Sequence, residues 1–60
     1  MTQKTVDAYL QRNNITDVEI EVLTDQFVFR KNKKIVGTIP KSDIPTEVEL
    51  AIVIADAQSK

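Results

Sequence analysis

The chain changes the spacing of its apolar positions twice, and each change marks a boundary between elements. Near the N-terminus Val6, Tyr9 and Leu10 recur at i, i+3 and i+4, while Lys4, Asp7, Gln11 and Arg12 fall off that stripe. This is the pattern of a helix that buries one narrow face. The helix is expected from about Thr2 to Asn13, with Thr2 as N-cap. The pair Asn13-Asn14 supplies the stop, because asparagine tolerates the left-handed conformation that ends many helices.

From Asp17 onward the period drops to two. Val18, Ile20 and Val22 alternate with Asp17, Glu19 and Glu21, and Phe27 and Phe29 alternate with Val28 and Arg30, as in strands with one buried face. A two-residue turn at Thr24-Asp25 pairs Val22 with Phe27 and Ile20 with Phe29 on the apolar face, and Glu21 with Val28 and Glu19 with Arg30 on the other. A third strand is expected from Lys34 to Ile39, ended by Pro40, which has no N–H for a ladder. For the turn before it, a three-residue loop of Lys31, Asn32 and Lys33 sets Phe29 opposite Ile35 and Phe27 opposite Gly37. That choice keeps the apolar face continuous and is the expectation, since a two-residue loop sets Phe29 opposite Val36 and turns the strand over.

The closing stretch EVELAIVIADA, Glu47 to Ala57, contains six consecutive apolar residues from Leu50 to Ala55. Thr46 with Glu49 three residues on is a capping-box pair, and Pro45 stands just ahead of it. A helix from about Pro45 or Thr46 to Gln58 follows. A fourth strand competes, because Val48, Leu50, Ile52 and Ile54 also alternate and β-branched residues favour strands. The capping signals, the length and the alanines at 51, 55 and 57 favour the helix.

At about 100° per residue this helix carries two apolar stripes. Val48, Ala51, Ile52 and Ala55 form one; Leu50, Val53, Ile54 and Ala57 form the other, nearly opposite. Glu49 and Asp56 mark one seam between them, Glu47 and Gln58 the other. A helix apolar on both sides is normally buried on both sides.

The expected fold is therefore α+β: a single small domain over residues 1–60 in α-β-β-β-α order, with a three-stranded antiparallel meander and helices packed on one face. One small sheet face cannot cover both stripes of the last helix. The stripe of Leu50, Val53, Ile54 and Ala57 is expected to form a protein interface, most simply a two-fold homodimer. The competing reading makes the same helix a core element wedged between the sheet and the first helix.

Composition narrows the function. The chain has no histidine and no cysteine, which removes the usual general base, thiolate metal ligands and any disulfide framework. Gly37 is the only glycine and lies within a strand, where it is read as serving close packing or a bulge and not a phosphate loop. Asp17, Glu19 and Glu21 line one strand face, but side chains two apart on a strand stand about 6.5 to 7 Å from each other and do not converge on a cation. No enzymatic activity, cofactor, metal or small-molecule substrate is expected.

The segment RKNKK offers an alternative. Arg30, Lys31, Lys33 and Lys34, with Lys41 farther along, would contact phosphates if the hairpin entered a nucleic-acid groove. Against this stand a formal charge of −1, the lack of an interleaved aromatic to stack a base, and the solubilising role of lysines at hairpin turns. The N-terminus lacks the pattern of a signal peptide, and no apolar run nears the ~20 residues of a membrane span. The expectation is a cytoplasmic, non-enzymatic interaction or regulatory module that is homodimeric through its last helix, with nucleic-acid binding as the alternative and no membrane partner. A chain this small, acidic and motif-free suits an accessory protein carried by a phage or mobile element.

Overall fold

A computed structural model describes all 60 residues, Met1 to Lys60. The elements run α1 (Gln3–Arg12), β1 (Val18–Val22), β2 (Gln26–Lys31), β3 (Lys34–Pro40), one 3-10 turn (Lys41–Asp43) and α2 (Glu47–Gln58). The strands form one antiparallel sheet in the order β1-β2-β3, giving the expected α-β-β-β-α fold. Both helices lie against the sheet, α1 over β1 and α2 over β1 and β2. No helix is long and apolar enough to cross a membrane.

The ends of α1 are set by the residues that mark them in the sequence. The Thr2 hydroxyl accepts from the Thr5 N–H at 3.3 Å, satisfying one of the orphan donors of the first turn. At the other end Asn14 takes φ of 56°. Its N–H donates to the Gln11 carbonyl at 3.1 Å and the Ile15 N–H donates to the Leu10 carbonyl at 2.9 Å, the paired bonds of a Schellman closure. Ile15 is thereby turned back against the core, and the chain enters β1.

The β1–β2 hairpin has the expected register, with Val22 opposite Phe27, Glu21 opposite Val28, Ile20 opposite Phe29 and Glu19 opposite Arg30. The second hairpin corrects the sequence reading. Its turn has two residues, Asn32 and Lys33, at φ of 53° and 65°, with Lys31 opposite Lys34. Such a left-handed pair matches the twist of the flanking strands, whereas the expected three-residue loop is not used.

An unbroken ladder from this short turn would carry Ile39 to the outer face, away from the core. Instead the register shifts between Arg30 opposite Ile35 and Phe29 opposite Gly37, which leaves Val36 as the extra residue of a bulge. Beyond it Ile39 stands opposite Phe27, on the buried side. Ile35, expected on that side, is 61% exposed. Gly37 follows the bulge, and a Cβ there would meet no atom within 4 Å, so close packing is not what glycine serves at this position.

Val6 and Leu10 of α1, Val18 and Ile20 of β1, Phe27 and Phe29 of β2, Ile44 of the linker and Leu50, Ile54 and Ala57 of α2 form one core. The two phenylalanine rings meet edge to face, 6.4 Å between centroids, a favoured aromatic geometry. Ile44 is brought into this core by the 3-10 turn, which is tied to the first hairpin where the Lys41 N–H donates to the Asp25 carbonyl at 3.0 Å.

Both sheet edges are occupied by side chains. Along β1 the Gln3 amide donates to the Ile20 carbonyl at 2.7 Å and accepts from the Val22 N–H at 2.8 Å, as a peptide of a neighbouring strand would. Along β3 the Lys60 ammonium donates to the Val36 carbonyl at 3.2 Å, and Pro40 offers no donor. These devices oppose edge-to-edge pairing.

Lysine at 33 holds a left-handed conformation that costs a non-glycine residue about 1–2 kcal/mol. Lys33→Gly should therefore stabilise the fold by about 1 kcal/mol, raising the thermal midpoint by roughly 4–8 °C for a domain of this size. Thermal melting followed by circular dichroism measures the shift.

Candidate interaction surface

The start of α2 is fixed by its capping box. The Thr46 N–H donates to a Glu49 carboxylate oxygen at 3.0 Å, the Thr46 hydroxyl donates to the same oxygen, and the Val48 N–H donates to the Thr46 hydroxyl at 3.2 Å. The hydrogen bond from the Thr46 hydroxyl, more than the backbone N–H bonds, holds the Glu49 carboxyl below its ordinary range against a smaller desolvation effect in the other direction.

Three polar contacts orient the helix along its length. Arg12 at the end of α1 pairs with Glu47 at 3.2 Å. The Gln58 amide donates to the Asp17 carboxylate at 3.0 Å. The Lys31 ammonium donates to the carbonyls of Gln58 and Lys60, where the unpaired carbonyls of a helix C-terminus favour a cation.

Oriented this way, α2 directs its two apolar stripes to opposite environments. Leu50, Ile54 and Ala57 are buried against the sheet and Val53 is half-buried. The residues expected to form an intermolecular contact are thus core residues of their own chain. The free stripe is the other one: Val48 is 67% and Ile52 66% exposed, with Ala51 and Ala55 exposed beside them. Helix α1 does not cover it, because α1 packs on β1 beside α2 and not above it.

The choice between the stripes had a signal in the sequence. Where the stripe of Leu50 and Val53 places large aliphatic groups, the outer stripe places Val48 and Ala51, so the inner one has more apolar volume to fill the space over Phe27 and Phe29. The bulkier stripe takes the core because it removes more apolar surface from water.

Of the candidate nucleic-acid contacts, four lie on the second hairpin, two of them engaged by other side chains or carbonyls, and Lys41 lies apart. Arg30 is engaged with Glu21 at 2.9 Å, diagonal to its expected partner Glu19, and Lys31 is engaged with the end of α2. Lys33 and Lys34 are exposed at the turn. Lys41 sits past the other end of β3, beside Asp25. Nor do Asp17, Glu19 and Glu21 converge: Asp17 takes Gln58, Glu21 takes Arg30, and no group of three or more acidic residues forms. Tyr9 is half-buried at the core margin with the Arg12 guanidinium 5.5 Å from its ring centroid, a cation–π contact.

No protein-family model, no curated protein and no solved structure matches the chain, so the surface itself carries the functional reading.

Two substitutions two residues apart should separate the stripes. Ile54→Asp puts an unpaired charge into the core and should abolish the folded circular-dichroism spectrum. Ile52→Asp lies on the exposed face and should leave the unfolding free energy of the monomer within roughly 0.5 kcal/mol of the parent.

The cap also predicts an acid response. Because the folded state depresses the Glu49 pKa, its stabilising contribution is fully present above the ordinary glutamate value near ~4.3 and is lost as pH falls through the folded value. Glu49→Gln keeps the hydrogen-bonding shape without the titration. Helicity compared across an acid titration should therefore fall less steeply in Glu49→Gln than in the parent.

Proposed function

We propose that this protein is a non-enzymatic interaction module that self-associates through the outer stripe of α2. The observation that carries the reading is the exposure of Val48 and Ile52, each about two thirds open to solvent on one helix face. Apolar residues at i, i+3, i+4 and i+7 form the narrow seam by which one helix packs on another. Full burial of a large aliphatic side chain contributes roughly 1.5–3 kcal/mol, and most of that contribution is still open to these two residues. A small domain buries a modest share of its own surface, so covering this stripe stabilises the chain as well as joining two copies.

Area bounds the strength. A standard interface takes about 800 Å² from each partner, about a fifth of the 3993 Å² that this chain exposes. A single helix seam supplies less than that, which favours a weak, concentration-dependent association. The alternative reading, nucleic-acid binding through the second hairpin, is left with Lys33 and Lys34 as its free charges there.

Sedimentation equilibrium tests the proposal over chain concentrations from about 1 μM to about 1 mM, spanning association energies of roughly 4 to 8 kcal/mol. The mass should rise from that of the 6.8 kDa chain toward twice that value, and Ile52→Asp should remain monomeric throughout. A parent chain that stays monomeric at the highest concentration overturns the reading.

A further inference from the structure

Resting on that self-association, we infer that the two copies meet with their α2 helices antiparallel, about a two-fold axis that crosses the seam between Ala51 and Ile52. The sizes of the exposed residues set the pairing. In this alignment Val48 of one copy faces Ala55 of the other, and Ile52 faces Ala51. Every large side chain then meets a small one, which lets the helices approach closely and fills the contact at interior density.

A parallel pair matches large with small less evenly. It would set Val48 on Val48 and Ile52 on Ile52, while Ala51 and Ala55 face their counterparts with fewer dispersion contacts. The interchange of large and small on reversing the helix is a property a surface needs only to meet itself. It is therefore an argument for a second copy as the occupant and against an unrelated helix.

The helix dipoles favour the same arrangement. The first turn of α2 carries Glu47 and Glu49, and Lys60, two residues past its far end, pairs with Asp56 at 3.3 Å. Parallel packing would bring the acidic first turns together and align the helix dipoles side by side. Antiparallel packing opposes the dipoles. On one rim Glu47, paired with Arg12 of its own chain, lies on the side of the second copy's Gln58, whose amide is held by Asp17. On the other rim Glu49 lies on the side of the second copy's Asp56, whose charge Lys60 compensates.

Single cysteines test the arrangement, because the chain has none of its own and both positions are exposed. Val48→Cys and Ala55→Cys are oxidised mildly, each alone and in equal mixture, with circular dichroism to check the fold and non-reducing gels to read the product. In the antiparallel register, residue 48 lies beside residue 55 of the second copy. Two copies of residue 48 are then seven positions apart along the axis, about 10 Å at 1.5 Å per residue, beyond the 4.4–6.8 Å that a disulfide spans. The mixture should cross-link at least tenfold faster than either variant alone.

Rapid cross-linking of Val48→Cys with itself would overturn the antiparallel arrangement while leaving the dimer standing. Absence of cross-linking in every sample, with the parent dimeric by sedimentation, would overturn it as well and move the contact off this face. A parent that is monomeric at every concentration would overturn both the arrangement and the self-association on which it rests.

Discussion

Keeping Phe27 and Phe29 of the central strand on one covered face is the constraint around which the rest of this fold is arranged. Their rings supply the largest apolar surfaces of the core, and both are 1% exposed. Strand β1 meets them in register with Val22 and Ile20, α2 sets its bulkier stripe over β1 and β2, and β3 shifts register to bring Ile39 opposite Phe27. In a chain of this size there is no second core to compensate for losing that face.

The second hairpin shows how a local preference and a global demand are reconciled. The two-residue turn suits the twist of its strands but would set the far half of β3 with the wrong face inward. Inserting one residue at Val36 reverses the alternation, so that Ile35 faces solvent and Ile39 faces the core. The bulge at Val36 and the missing donor of Pro40 also make β3 a poor template for another strand, while Gln3 occupies the opposite edge at β1. With both edges blunted, the apolar surface left most open is on α2.

Polar side chains act mainly as fasteners. Arg12 with Glu47, Gln58 with Asp17, and Lys31 with the final carbonyls of α2 connect the two ends of that helix to the rest of the chain. Exposed ion pairs are worth little as stabilisation, so their consequence is orientation. They help decide which way α2 is rolled, and the roll decides which stripe meets water. The bonds to the end of α2 occupy Lys31, and Glu21 separately occupies Arg30, within the basic segment of the hairpin.

Much of this protein was determined by sequence order alone. The apolar periods specified the elements, the asparagine pair and the Thr46–Glu49 box specified the ends of the helices, and the alternation around Thr24-Asp25 specified the first hairpin, because each depends on residues close along the chain. The presence of two apolar stripes on α2 was equally legible. The larger volume of the inner stripe also pointed to their assignment; what only the tertiary structure decided was the bulge in β3 and the partners that the basic side chains take. Those depend on filling one shared volume over Phe27 and Phe29, where residues far apart in sequence compete for the same space, and no local pattern records the outcome of that competition.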